Sequence, residues 1–287
     1  MLHTWKVRFL NLRRKLCWNK KLKNVCPRQI AYEPDLIPPP DLMRHEGIDV
    51  LEEWFRWGEE WSMLLRVYGG IAKHSAVLEI GCGLGRTAFP LRYLLSSEGS
   101  YDGFDICHDK IEFLEQTFQK AHPNFRFVWA NIHNTHFNPK GNINAAEYRF
   151  PYTDNSFDIV YAASVFTHML PEAAENYFME TSRVLKPDGR CLFSFFLLDN
   201  YCPGQPRPLG FDKPIFNFDY HYGHYGGDFA IVDPENPECM TAYSHRMIER
   251  FSTVAELKLA QAPIPGLWSG STSTWVGAQD MVILTKR

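Results

Sequence analysis

The chain has 287 residues, a net charge of −3 and 45% hydrophobic residues. That is enough apolar material for a sizeable core, and no apolar run approaches the ~18 residues of a membrane span. The seven cysteines contain no Cys-x-x-Cys pair, which speaks against a disulfide or zinc framework and fits reduced thiols in a cytoplasm.

Charge is unevenly spread. Lys6, Arg8, Arg13, Arg14, Lys15, Lys20, Lys21, Lys23 and Arg28 face no acid within residues 1 to 32, so that segment is +9 and the remainder −12. Leu2, Trp5, Phe9, Leu12 and Leu16 recur at helical spacing and form one apolar stripe. A basic helix with such a stripe suits an anionic membrane surface, making the chain cytoplasmic with peripheral attachment. The competing expectation, of equal weight, packs the stripe on the body of the protein or on a second copy in a homodimer. Charges interrupt every candidate signal-peptide core. No basic groove interleaved with aromatics occurs in the rest of the chain, so nucleic acid is not an expected partner.

Pro34, Pro38, Pro39 and Pro40 mark residues 34–48 as a linker, because consecutive prolines resist helix and strand. The basic segment 1–33 precedes it, and 49–287 form the main domain. Asp49 to Tyr68 reads as a helix carrying Trp54, Trp57 and Trp61, most of which ordinary packing explains.

Next, Val77-Leu78-Glu79-Ile80 reads as a strand ending beside an acid. Gly81-Cys82-Gly83-Leu84-Gly85 follows at once, and then a helix from Thr87 to Leu95. Glycines let the chain turn sharply and let backbone approach a ligand. Strand, glycine turn and helix together make a nucleotide-type site. Ser100 to Ile106 is a second strand, with Asp105 placed to accept both hydroxyl protons of a ribose. Phe125 to Ile132 is a third, and the Asn131 amide can read an adenine edge.

An extra stretch, residues 133–144, precedes a nearly all-apolar fourth strand, Phe157 to Ala163, as a strand buried on both faces should be. His168 lies just past it. Val184 to Arg190 ends a helix in turn residues, and Cys191 to Leu198 is the fifth strand. A longer insertion, 199–241, holds Asp219, His221, His224 and Asp228 among tyrosines and glycines. Both extra stretches leave the carboxyl end of the sheet, where ligands bind, so a substrate lid is expected there. Tyr243 to Leu259 reads as a helix, Gly266 to Gly277 as a turn region, and Gln279 to Thr285 as the closing strand.

Glu79-Ile80-Gly81-Cys82-Gly83-Leu84-Gly85, Asp105, Asn131-Ile132, Asp154 to Val160 and Leu185-Lys186-Pro187-Asp188-Gly189 together resemble the motifs of class I S-adenosylmethionine-dependent methyltransferases. The resemblance covers roughly residues 50 to 198 and resumes weakly from about 243. The alternating glycines after Glu79 separate it from the nicotinamide-binding fingerprint Gly-x-Gly-x-x-Gly. It implies a Rossmann-like α/β fold: a seven-stranded, mostly parallel sheet, helices on both faces, the last strand antiparallel. It implies S-adenosylmethionine as cofactor, held by Glu79, Gly81, Cys82, Gly83, Gly85, Asp105, Ile106, Asn131, Ile132 and Ala163. A helix before the first strand caps the cofactor pocket in that family, and the end of the fourth strand lies beside the methyl group.

The expected reaction is in-line methyl transfer to oxygen of a small-molecule or glycan-like acceptor, in which alignment supplies much of the rate. A hydroxyl needs its proton removed, and histidine is the usual base near neutral pH. His168 and His224 are the catalytic candidates, with His221 and His136 weaker; a hydrogen-bonded structural role competes for His168. The spacing of Asp219, His221, His224 and Asp228 matches no zinc signature, so no metal is expected. Transfer to carbon or nitrogen of a small metabolite, and cofactor binding without turnover, are the alternatives.

Overall fold

The computed structural model describes residues 33–44, 46–201, 216–269 and 276–286. The chain divides into two compact units, Met1–Ile37 and Pro38–Arg287. The described part of the first holds a 3-10 turn over Pro34–Leu36; the basic apolar-striped segment lies outside the described residues. In the stretch read as a linker, Pro40–Arg44 is a one-turn helix. Proline fits a first helical position, because its missing N–H has no partner there in any case.

The second unit is built on a seven-stranded sheet in the order β3-β2-β1-β4-β5-β10-β9. The strands are β1 Ala76–Ile80, β2 Ser100–Asp105, β3 Phe125–Trp129, β4 Phe157–Ala162, β5 Leu185–Phe195, β9 Leu257–Leu259 and β10 Asp280–Lys286. β1 to β5 run parallel, and β10 runs antiparallel to both β5 and β9. Helices flank the sheet, as the Rossmann-like reading anticipates. β1 and β4 are buried along nearly their whole length. The chain leaves β1 toward β2 and β3, then returns to β4 on the other side. That reversal opens the crevice at the carboxyl ends of β1 and β4 where ligands of such sheets bind.

Several boundaries differ from the sequence reading. The helix expected over Thr87–Leu95 is one turn, Ala88–Leu91. Beyond it the Ser96 amide donates to Lys73 O at 2.7 Å, drawing the chain back toward β1. Lys186 to Gly189 loop out of β5, since Leu185 pairs with Phe157 but Arg190 pairs with Ile159. The helix read over Tyr243–Leu259 spans only His245–Val254, with β8 (Thr241–Tyr243) before it and β9 after it. Ser244 caps it by accepting from Met247 N, and Glu256, at φ 56°, turns the chain into β9.

The long insertion folds, where described, into a three-stranded antiparallel sheet of β6 Tyr220–His221, β7 Phe229–Ile231 and β8; residues 202–215 lie outside the described residues. β8 locks onto the turn after β4: Thr241 Oγ1 donates to Phe166 O at 2.9 Å, and Tyr243 Oη donates to Met169 O at 2.6 Å. Part of the insertion therefore braces the His168 turn from behind. Phe166, Phe178, Phe193 and Phe195, all fully buried, fill the space beneath that turn.

Candidate active site

The carboxyl ends of β1, β2 and β4 open on a cavity of about 340 Å³, within the size range of small-molecule sites. Its floor is the glycine turn. The Gly81 and Cys82 amides both donate to Phe104 O, at 2.9 and 3.1 Å, which ties the turn to β2. Gly81 sits at φ 69° and Gly83 at φ 51°, a region that side chains other than glycine enter only at a cost. Space is refused as well. A Cβ on Gly81 would lie 2.5 Å from Val165 Cγ2, and one on Gly83 would overlap Glu46 Oε1 and lie 3.2 Å from its Cδ. Gly85 closes the turn over Leu114.

Asp105 ends β2 and is nearly buried. Its Oδ2 accepts from Gly83 N at 2.8 Å and its Oδ1 from Cys107 N at 2.9 Å. Each oxygen keeps further lone-pair capacity for a ligand. Beside it Lys110 pairs with Glu46 at 3.1 Å, both side chains at 10% exposure or less. Burial opposes the ammonium charge, but the Glu46 and Asp105 carboxylates outweigh burial and raise the Lys110 pKa above its usual range. Glu46 also accepts from Leu84 N at 3.0 Å. The acid thus covers the glycine turn and is anchored by the buried lysine.

Glu79 lies beneath the turn and is not among the residues lining the cavity. Its Oε2 accepts from Tyr101 Oη and, at 2.6 Å, from Tyr161 Oη. Burial raises its pKa to about 7, although both phenols act to lower it. Cys82 faces the cavity; burial and then the Asp105 charge raise its thiol pKa well above normal, so it is a neutral wall rather than a nucleophile.

Ile106, Ile132 and Ala163 line the cavity. Asn131 does not: it donates to Asn142 Oδ1 at 3.2 Å and accepts from Asn138 Nδ2 at 3.3 Å. The first extra stretch uses that amide to fold back on β3, and its own His133, Asn134 and Phe137 line the cavity. Asn134 organises the turn: its Oδ1 accepts from His136 N and Phe137 N, and its Nδ2 donates to His168 O at 3.0 Å.

His168 also lines the cavity. Its ring lies parallel to that of His136 at 6.2 Å and meets the edge of Phe137 at 4.9 Å. Nδ1 lies 3.2 Å from Glu238 O. A carbonyl can only accept, so Nδ1 carries the proton and Nε2 is the basic nitrogen. Burial brings the His168 pKa down to about 4, against hydrogen bonding to the Glu238 backbone, which raises it. The imidazole is neutral throughout the physiological range.

His224 is not brought to this cavity. It is exposed on the 3-10 turn between β6 and β7 and packs on Tyr225 with ring centroids 4.1 Å apart. His221 is exposed on β6, and His136 Nδ1 accepts from Asn236 Nδ2 at 3.0 Å at the rim. The described tip of the long insertion reaches the site through Glu238 alone. No cluster of three metal-ligating side chains occurs among the described residues.

Glu46, Trp57, Arg86, Lys110 and Glu238 are among the lining residues that the sequence reading did not name as site residues. Arg86 lies over the Trp57 ring at 5.5 Å. Trp57 belongs to the helix Leu51–Leu64, the element that the resemblance implies as the cap of the pocket, and it forms a wall of the cavity. Ser164, directly after Ala163, holds φ 63°. Its amide donates to Ser194 Oγ at 2.7 Å and its Oγ accepts from Gln279 Nε2 at 2.8 Å, which keeps a strained residue in place beside the cavity.

Comparison with known proteins agrees with this architecture. Residues 77–189 match the family model described as "Methyltransferase domain". The 27-O-demethylrifamycin SV methyltransferase of Amycolatopsis mediterranei is 26% identical over 200 residues, 64% of each chain. An uncharacterized protein of Haemophilus influenzae is 30% identical over 126 residues, 43% of each. Less than two thirds of either relative's length is therefore matched. In fold, the PH0226 protein of Pyrococcus horikoshii OT3 is similar at a TM-score of 0.52 and 17% identity, over 82% of this chain and 92% of that one. Residues 77–189 therefore carry a class I S-adenosylmethionine-dependent methyltransferase domain, whose cofactor is S-adenosylmethionine. The cavity fits that group: a turn without side chains for close approach, a carboxylate at the end of β2, and apolar walls.

Proposed function

We propose that the chain methylates a hydroxyl oxygen of a small-molecule or glycan-like acceptor, with His168 as the base. The observation that carries this is a neutral imidazole at the cavity, its Nδ1 hydrogen committed to Glu238 O and its Nε2 left to accept a proton. A relative named for methylation at oxygen gives independent support.

When bound, S-adenosylmethionine supplies an electrophilic methyl on a sulfonium sulfur that leaves as a neutral thioether. Asp105 accepts from the ribose hydroxyls while holding the glycine turn through Gly83 N. Ile106 and Ile132 would flank the base, and Gly81, Cys82, Gly83 and Ala163 the methionine portion, whereas Gly85 lies outside the cavity lining and closes the turn over Leu114. Glu79 supports these from below by fixing β1 to β2 and β4 through two phenols. The acceptor oxygen would bond to the methyl carbon as the methyl–sulfur bond breaks, and the hydroxyl proton would pass to His168 Nε2.

The test is an acceptor screen that follows S-adenosylhomocysteine release from the wild type and from His168→Ala. Turnover lost by roughly 10²–10⁴-fold in the variant, with cofactor affinity retained, supports the base; near-normal turnover returns His168 to a structural role.

A further inference from the structure

We propose that Glu238 reads a second hydroxyl of the acceptor, so that the acceptor is a vicinal diol with one hydroxyl at His168 and its neighbour at the Glu238 carboxylate. This rests on the methyl-transfer reading above.

Glu238 is 8% exposed yet lines the cavity. Its Oε2 accepts from Thr135 N at 2.6 Å, its one hydrogen-bond donor among the described residues. A buried carboxylate with a single donor is poorly compensated, and a ligand that donates to the other oxygen removes that deficit. The same residue's carbonyl accepts from His168 Nδ1, so Glu238 and His168 belong to one rim of the cavity. That rim is stapled. Thr135 Oγ1 donates to Asn236 Oδ1 at 3.1 Å, and Asn236 Nδ2 lies 3.0 Å from His136 Nδ1. The insertion that supplies Glu238 and the stretch that supplies Phe137 are thereby held against each other before any acceptor arrives.

The chemistry of the partner follows from charge. An amine held by Glu238 would stay protonated beside the carboxylate, and an ammonium has no lone pair to attack with. It would also face the sulfonium charge of the cofactor. A neutral hydroxyl donates to the carboxylate at no such cost and leaves the adjacent hydroxyl free to react. Sites built to bond a buried hydroxyl reject analogues lacking it, because their own polar group is then left unpaired.

The experiment measures S-adenosylhomocysteine release with methyl hexopyranosides and their singly deoxygenated analogues, and S-adenosylhomocysteine binding by calorimetry. The wild type is expected to use a diol at least about 100-fold better in kcat/KM than the analogue lacking the neighbouring hydroxyl. Glu238→Gln should erase most of that preference, chiefly through KM, with S-adenosylhomocysteine affinity unchanged. The wild-type comparison needs no variant. Equal use of diol and deoxy analogue, a preference that survives Glu238→Gln, or a wild type that binds S-adenosylhomocysteine and methylates no diol would each overturn the diol assignment and leave the cofactor site standing. A wild type that binds no S-adenosylhomocysteine would overturn the methyl-transfer reading itself.

Discussion

Gly83 is the position where the glycine turn, the covering acid and the Asp105 carboxylate meet, and Gly83→Ala separates their contributions. Two costs are expected. At φ 51° an alanine pays about 1–2 kcal/mol for left-handed backbone. Its Cβ also overlaps Glu46 Oε1, so Glu46 must withdraw from Leu84 N and from Lys110. Stranding one partner of a buried ion pair costs about 3–5 kcal/mol when the other is deleted; displacement keeps the charge, so the lower end applies. The total is about 4 kcal/mol. In a Glu46→Ala background the overlap is gone, and Gly83→Ala should cost only the backbone part, about 1–2 kcal/mol. Urea unfolding of the wild type, both single variants and the double variant yields the coupling energy directly. Costs that add to within about 0.5 kcal/mol would refute the placement of Glu46 over the turn.

Asp105→Ala should weaken S-adenosylhomocysteine binding by about 1–3 kcal/mol, because charge-assisted bonds are lost; equal affinity by calorimetry would remove the ribose assignment. With His168 titrating near 4 rather than its usual 6.5, the acid limb of kcat/KM attributable to it should lie near pH 4, not between 6 and 7. Because the unfolded chain takes up that proton first, His168 also contributes stability above pH 6.5 that falls away as pH drops toward 4. Glu79 works in the opposite sense: its folded pKa of about 7 against 4.5 favours the protonated native state, so its stabilisation is present below pH 4.5 and is lost as pH rises through 7. Melting curves of Glu79→Gln should therefore gain on the wild type between pH 5 and 8, and parallel curves would contradict the shift. If residues 1–30 meet an anionic surface, phosphatidylserine vesicles should bind the full chain and release it as salt rises; a chain beginning at Asp35 that binds equally well would exclude the anchor.

The cofactor half of the site was legible because its signals are local. A strand, a glycine turn and an acid at the end of the next strand stand within 30 residues, and Gly81, Gly83 and Asp105 occupy the cavity as read. Other lining residues were not, because they meet only in space. Glu46 bonds to Leu84 across 38 residues and Glu238 meets His168 across 70, and neither sits in a pattern that sequence spacing reveals. Asn131 had the right chemistry for an adenine edge, but neighbouring asparagines, Asn138 and Asn142, take its amide. The tyrosines and histidines of 219–228 drew attention as a lid, whereas the insertion reaches the cavity through Glu238, beyond that run. The single helix read over 243–259 is the end of a strand, a helix and a second strand, divided by the Ser244 cap and the positive φ at Glu256.

For the proposed transfer to a hydroxyl, the low pKa of His168 is no obstacle to its acting as the base. A free hydroxyl is a very weak acid, but an oxygen already bonding to a methyl carries positive charge and sheds its proton readily. Even an imidazole of pKa about 4 is then an adequate acceptor, provided it is unprotonated and in place. A histidine near its usual pKa would be partly cationic at neutral pH, setting a second positive charge against the sulfonium and leaving Nε2 without a lone pair. Burial against Phe137 and His136, with Nδ1 tied to Glu238 O, keeps the ring neutral and in one tautomer. The environment that weakens the base is thus the one that keeps it available, which suits a reaction limited by alignment rather than by base strength.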